Sequence, residues 1–123
     1  MRVQAISTRD HKYGKLKPAE DSFLCQKNIF CVADGITRDP TTPIDFGNLS
    51  KEELLKNYPN PSPAKIAADL CCQSFIKYCQ KNPDPKSALV FANEKIKELN
   101  HKKNPYPDYL VNDFWACTAV LAE

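Results

Sequence analysis

The stretch at residues 19–39, AEDSFLCQKNIFCVADGITRD, decides how this chain is read. Its two apolar runs, at 22–26 and 29–33, are short, rich in β-branched and aromatic residues, and separated only by Lys27 and Asn28. That spacing predicts a β-hairpin closed by a two-residue turn, with Asn28 suited to a positive φ. The turn fixes the register: Gln26 faces Ile29, Leu24 faces Cys31 and, at the open end, Asp21 faces Asp34. Directly opposed residues have β-carbons about 5 Å apart, where like charges repel. A raised pKa, a parting of the strand ends or a cation between the carboxylates relieves the repulsion. A hard divalent ion such as Mg²⁺ or Mn²⁺ suits oxygen donors, and Glu20 and the carbonyl of Gly35 lie beside the pair to supply more. The same residues also fit solvated strand ends and an ordinary Asp-Gly turn.

The register makes both hairpin faces apolar, with Phe23, Cys25, Phe30 and Val32 on one and Leu24, Ile29, Cys31 and Ala33 on the other. That pattern predicts a hairpin between two layers, with only its acidic end meeting solvent. It also sets Cys25 and Cys31 on opposite faces, which disfavours a disulfide between them.

Outside the hairpin, residues 2–8 alternate and read as a strand, whereas 9–19 carry charges, Gly14 and Pro18 and read as a loop. Residues 36–62 are rich in proline and polar groups, with one capping-box spacing at Ser50 and Glu53. Ser62-Pro63 and Asp84-Pro85 each pair an N-cap residue with a first-turn proline. They predict two main helices, at about 63–81 and 85–102. Ala67, Leu70, Cys71, Ser74 and Tyr78 share a face of the first, flanked by Ala64, Phe75 and Cys79. Ala88, Leu89, Ala92, Ile96 and Leu99 form the stripe of the second, and both read as core. Residues 114–121, FWACTAVL, are continuously apolar and read as a central strand buried on both faces. Strand, hairpin, long loop, helix pair and strand make an α+β pattern within one domain over 1–123.

With 17 basic and 15 acidic residues, and arginine only at positions 2, 9 and 38, the charge balance argues against a nucleic-acid or membrane-surface partner. No apolar run approaches the roughly 18 residues of a membrane span. The N-terminal MRVQAISTRD lacks an apolar signal core, so a cytoplasmic protein is expected. Six cysteines without a CxxC pair, mostly among apolar neighbours, read as reduced core thiols in that compartment.

The segment GKLKPAEDSFL (residues 14–24), followed closely by FCVADG (30–35), resembles the opening of the PP2C family of metal-dependent protein serine/threonine phosphatases. FWACTAVLAE looks like that family's Gly-x-Thr-Ala strand, and the order of elements agrees along the chain. The resemblance implies a partial PP2C-like β-sandwich flanked by helices in α-β-β-α layers, with a two-metal centre at one end. It implies that Asp34 bridges both ions, that Gly35 ligates through its carbonyl, and that Glu20 is the acidic metal-site residue with Asp21 beside it. The implied reaction is hydrolysis of a phosphoserine or phosphothreonine in a phosphoprotein by a water activated by Mn²⁺ or Mg²⁺, with Asp34, Glu20 and Asp21 as the catalytic set. The family's phosphate-binding arginine falls where this chain has Leu16. Lys15 and Lys17 flank it as point charges without bidentate geometry, and Arg38 is a further candidate phosphate contact.

The family's Gly-Asp-Ser-Arg-like strand and distal aspartates are absent from the sequence. The chain therefore resembles the N-terminal portion of such a domain and is expected to be inactive alone. A competing expectation is a non-catalytic binding or dimerisation module, in which exposed sheet edges favour a homodimer. A cysteine-nucleophile phosphatase is excluded, because no cysteine has the arginine that Cys-x5-Arg requires.

Overall fold

The computed structural model describes residues 11–12, 15–16, 19–36, 50, 52–53, 56, 61–106 and 114–122. Five strands and two helices lie among them: β1 (His11–Lys12), β2 (Lys15–Leu16), β3 (Ser22–Gln26), β4 (Ile29–Gly35), α1 (Pro63–Cys79), α2 (Pro85–Lys103) and β5 (Cys117–Ala122). The fold is α+β, as the order of sequence patterns predicts. The strand expected at residues 2–8 lies outside the described residues.

The hairpin forms in the expected register, with Ser22 opposite Ala33, Leu24 opposite Cys31 and Gln26 opposite Ile29. Its turn differs in one detail. Lys27, not Asn28, takes the left-handed conformation, at φ 56°. A two-residue loop whose first central position is left-handed matches the twist of the flanking strands, and here the register outweighs the steric preference for glycine or asparagine. The segment 9–19, read as loop, holds a short antiparallel ladder of β1 and β2, with His11 opposite Leu16.

β5 adds antiparallel to β4, pairing Phe30 with Ala122, Val32 with Val120 and Asp34 with Thr118. The described sheet therefore has the order β3-β4-β5, and the central strand is β4 rather than the run at 114–121. That run also starts its strand later, at Cys117. The side chain of Asn100 explains the delay, because it holds both backbone groups of Trp115. It donates to the carbonyl at 2.6 Å and accepts from the N–H at 2.7 Å, which leaves neither for a ladder.

Both helices start where the caps predict. Ser62 Oγ accepts from Lys65 N at 3.1 Å ahead of Pro63, and Asp84 accepts from Lys86 N at 3.1 Å and from the Ser87 hydroxyl ahead of Pro85. The capping box at 50–53 forms reciprocally: Ser50 N donates to Glu53 Oε2 at 2.8 Å and Glu53 N to Ser50 Oγ at 3.2 Å. α1 packs across all three strands of the sheet, and α2 packs on α1.

The core sits between α1 and one face of the sheet. Ile29, Cys31 and Ala33 meet Ala68, Cys71, Cys72 and Phe75 there, and Ala88 and Ala92 close it from α2. In this core the Cys72 thiol donates to the Cys31 carbonyl at 3.6 Å and the Cys117 thiol to the Ala67 carbonyl at 3.8 Å. The thiols of Cys31 and Cys117 are pushed up, first by their interaction with Cys71 and then by burial, so they remain protonated. None of the six cysteines is in a disulfide.

The other sheet face is open, contrary to the two-layer expectation. Phe23, Val32 and Val120 are 47%, 52% and 75% exposed, whereas Cys31 on the helix side is 1% exposed. Both runs are apolar on alternate residues, but among the described residues α1 and α2 form a single helical layer on one face of the sheet. Leu89, expected in the α2 stripe, is likewise exposed, because α1 contacts α2 along Ala88 and Ala92.

Candidate carboxylate site

The Glu20-Asp21 pair stands just before β3, and Asp34-Gly35 ends β4, so the hairpin register brings all four to one end of the sheet. Gly35 sets how closely they can gather. A β-carbon at Gly35 would lie 2.5 Å from the backbone oxygen of Ala64, in the first turn of α1, and 2.7 Å from the backbone oxygen of Glu20. Space rather than a positive φ therefore demands glycine at this position. The Asp-Gly pair is a packing requirement that seats the start of α1 and the backbone of Glu20 against β4.

Glu20 turns inward. It is buried, and its Oε1 accepts from the hydroxyl of Ser62, the N-cap of α1, at 2.8 Å. The positive end of the helix dipole favours a carboxylate there. Glu20 thus ties the start of β3 to the start of α1.

Asp21 and Asp34 project to the exposed side and their carboxyls are hydrogen-bond partners. The Asp21 carboxyl is held above the ordinary carboxylate range, first by loss of hydration, then by the hydrogen bond to Asp34 and the charges of Asp34 and Glu20. Lys65 opposes the shift. Its ammonium donates to the backbone oxygen of Asp21 at 3.0 Å and to Asp69 Oδ1 at 2.7 Å, and the Ser22 hydroxyl donates to the same Asp69 oxygen at 2.6 Å.

Lys65, Asp69 and Ser62 are the residues sequence reasoning missed. The four-residue spacing of Lys65 and Asp69 marks an ion pair on the helix, but only the docking of α1 on β3 carries that pair to Asp21. Of the expected phosphate contacts, Lys15 lies in β2, and Lys17 and Arg38 lie outside the described residues.

Asp21 and Asp34 could hold a hard cation, because a divalent ion between two neighbouring exposed carboxyls relieves their mutual repulsion. Mg²⁺ is commonly held by one or two carboxylates together with water and substrate phosphate, which is what Asp21 and Asp34 offer. Among the described residues no three His, Cys, Asp or Glu side chains group as a metal ion requires. No protein-family model, curated protein or solved structure matches the chain. No helix among the described residues is long and apolar enough to cross a membrane.

Proposed function

We propose that this chain is the N-terminal portion of a PP2C-like, metal-dependent protein serine/threonine phosphatase domain and carries part of its metal site. The observation that supports the reading most is the Asp21–Asp34 carboxyl pair, set at the end of the hairpin by its register and by the close approach at Gly35. In this reading Asp34 and Asp21 hold Mn²⁺ or Mg²⁺, with Glu20 and the Gly35 carbonyl behind them. A bound divalent ion would acidify water and screen the phosphate of a phosphoprotein substrate. The residues of the chain itself have three tasks: Asp21 and Asp34 hold the ion between them, Ser62 orients Glu20, and Lys65 places a positive charge beside the pair. Lys15, Lys17 and Arg38 are the proposed phosphate contacts. A cytoplasmic location fits the unpaired use of cysteine in the core.

The test is metal binding and turnover measured together. Mn²⁺ titrated into the chain is expected to raise its melting temperature, and Asp34→Asn to abolish the rise. Hydrolysis of a phosphoserine peptide by the chain alone is expected to stay at background. Failure of the metal to bind would sink the site, and robust turnover lost in Asp34→Asn would show that the chain suffices by itself.

A second reading, a binding or dimerisation module, is favoured by a different observation: the open apolar face of the sheet, where Phe23, Val32 and Val120 are exposed.

A further inference from the structure

The outward face of the three-stranded sheet is uncharged along its middle and charged at both ends. Its middle consists of Phe23 and Cys25 on β3, Phe30 and Val32 on β4, and Val120 on β5, placed on one face by strand alternation and by the registers Cys25–Phe30, Phe23–Val32 and Val32–Val120. One end carries Asp21 and Asp34, both exposed, on the same face. The other carries Lys27, exposed at the tip of the hairpin.

We infer that this face docks on the same face of a second copy of the chain, with the strands of the two sheets running antiparallel across the interface. The charge pattern selects that arrangement. A two-fold axis in the interface plane and perpendicular to the strands lays the acidic end of each copy over Lys27 of the other, while the apolar middles meet. An axis parallel to the strands would stack four carboxylates at one end and two lysines at the other. The face is complementary to itself only in the first way, which is the condition for an isologous dimer. Face-to-face sheets pack about 10 Å apart with their strands within about 30° of each other, so all three strands contribute. This inference rests on the binding-module reading and needs neither metal nor catalysis.

The patch is small. Three strands at their usual spacing and six or so residues in length give roughly 14 Å by 20 Å per copy, well below a standard interface. The dimer is accordingly weak and salt-sensitive.

The experiment is sedimentation equilibrium of the full chain in chelator, from 10 µM to 1 mM, with helical content followed by circular dichroism. Self-association to a dimer is expected across that range. Val120→Lys, at a position 75% exposed and so tolerant of charge, is expected to weaken it more than tenfold with helical content unchanged. Lys27→Glu is expected to weaken it about fivefold, and Asp21→Lys combined with Lys27→Glu to restore it, because the exchanged charges meet again across the axis. A monomer at 1 mM overturns the proposal, as does a dimer indifferent to Val120→Lys. A dimer that Mn²⁺ tightens and Lys27→Glu leaves unchanged overturns the antiparallel arrangement in favour of apposed acidic ends. Mn²⁺ binding in the monomer is scored separately, so loss of the metal site and loss of the dimer are distinguishable outcomes.

Discussion

At the scale of single residues, two groups at the acidic end do different work from what their chemistry first suggests. Gly35 is demanded by the backbone atoms around it. Gly35→Ala forces Ala64 and Glu20 away from β4, an overpacking that costs about 1–3 kcal/mol. Chemical denaturation is expected to show that loss, and an unchanged midpoint would remove the packing argument. Asp21 makes the opposite kind of statement, one about protons. Its folded pKa lies above the unfolded value of 3.8, so the native state binds more protons than the unfolded chain between the two values. Its contribution therefore favours folding at low pH and is lost as pH rises through the raised pKa. Asp84 behaves inversely. Its pKa is lowered, chiefly by the Ser87 hydroxyl, and its contribution is present above 3.8 and lost as pH falls through the lowered value. In chelator, the stability of the wild type minus that of Asp21→Asn is expected to decline as pH rises from about 4 and then level off. A difference that grows with pH would show that Asp21 is a stabilised carboxylate instead.

At the scale of elements, legibility follows from whether the deciding interaction is local. The hairpin register, both helix starts and the capping box at 50–53 were readable because each depends on residues within a few positions of one another. Gln26–Ile29, Ser62–Lys65 and Ser50–Glu53 are all of this kind. The opposition of Asp21 and Asp34 followed from the register alone. The inward turn of Glu20 did not, because its partner Ser62 stands 42 residues away and meets it only when α1 docks. The late start of β5 was hidden for a similar reason. An asparagine on the last turns of α2 mimics a strand neighbour for Trp115, and nothing in FWACTAVL announces it. Asn100→Ala leaves the N–H and the carbonyl of half-buried Trp115 without that partner and is expected to cost about 2 kcal/mol. A red shift of Trp115 emission under native conditions is the expected companion, and unchanged emission and stability would show the clamp to be incidental.

At the scale of the whole molecule, the described residues form a sheet with one helical layer, and α1 is the hub. It touches all three main strands on one side and α2 on the other. Phe75 is at the centre of that hub and has the largest fully buried side chain of the described residues. Phe75→Ala removes its contacts and leaves a cavity, at a cost of about 3–5 kcal/mol. Domains of this size are stable by only about 5–15 kcal/mol, so the loss takes a large share of what holds the fold. Its consequence should also be global rather than local. Among the described residues the sheet and α2 have no substantial packing on each other apart from α1 and the Asn100–Trp115 clamp, so weakening α1 weakens these junctions together. Trp115, the one tryptophan of the chain, reports the sheet end of that clamp, and far-ultraviolet circular dichroism reports the helices. In Phe75→Ala the two signals are expected to lose cooperative structure at the same, much lower denaturant concentration. Helical signal that outlasts the tryptophan transition would mean that α1 and α2 form an independent pair and that the sheet is the dependent part.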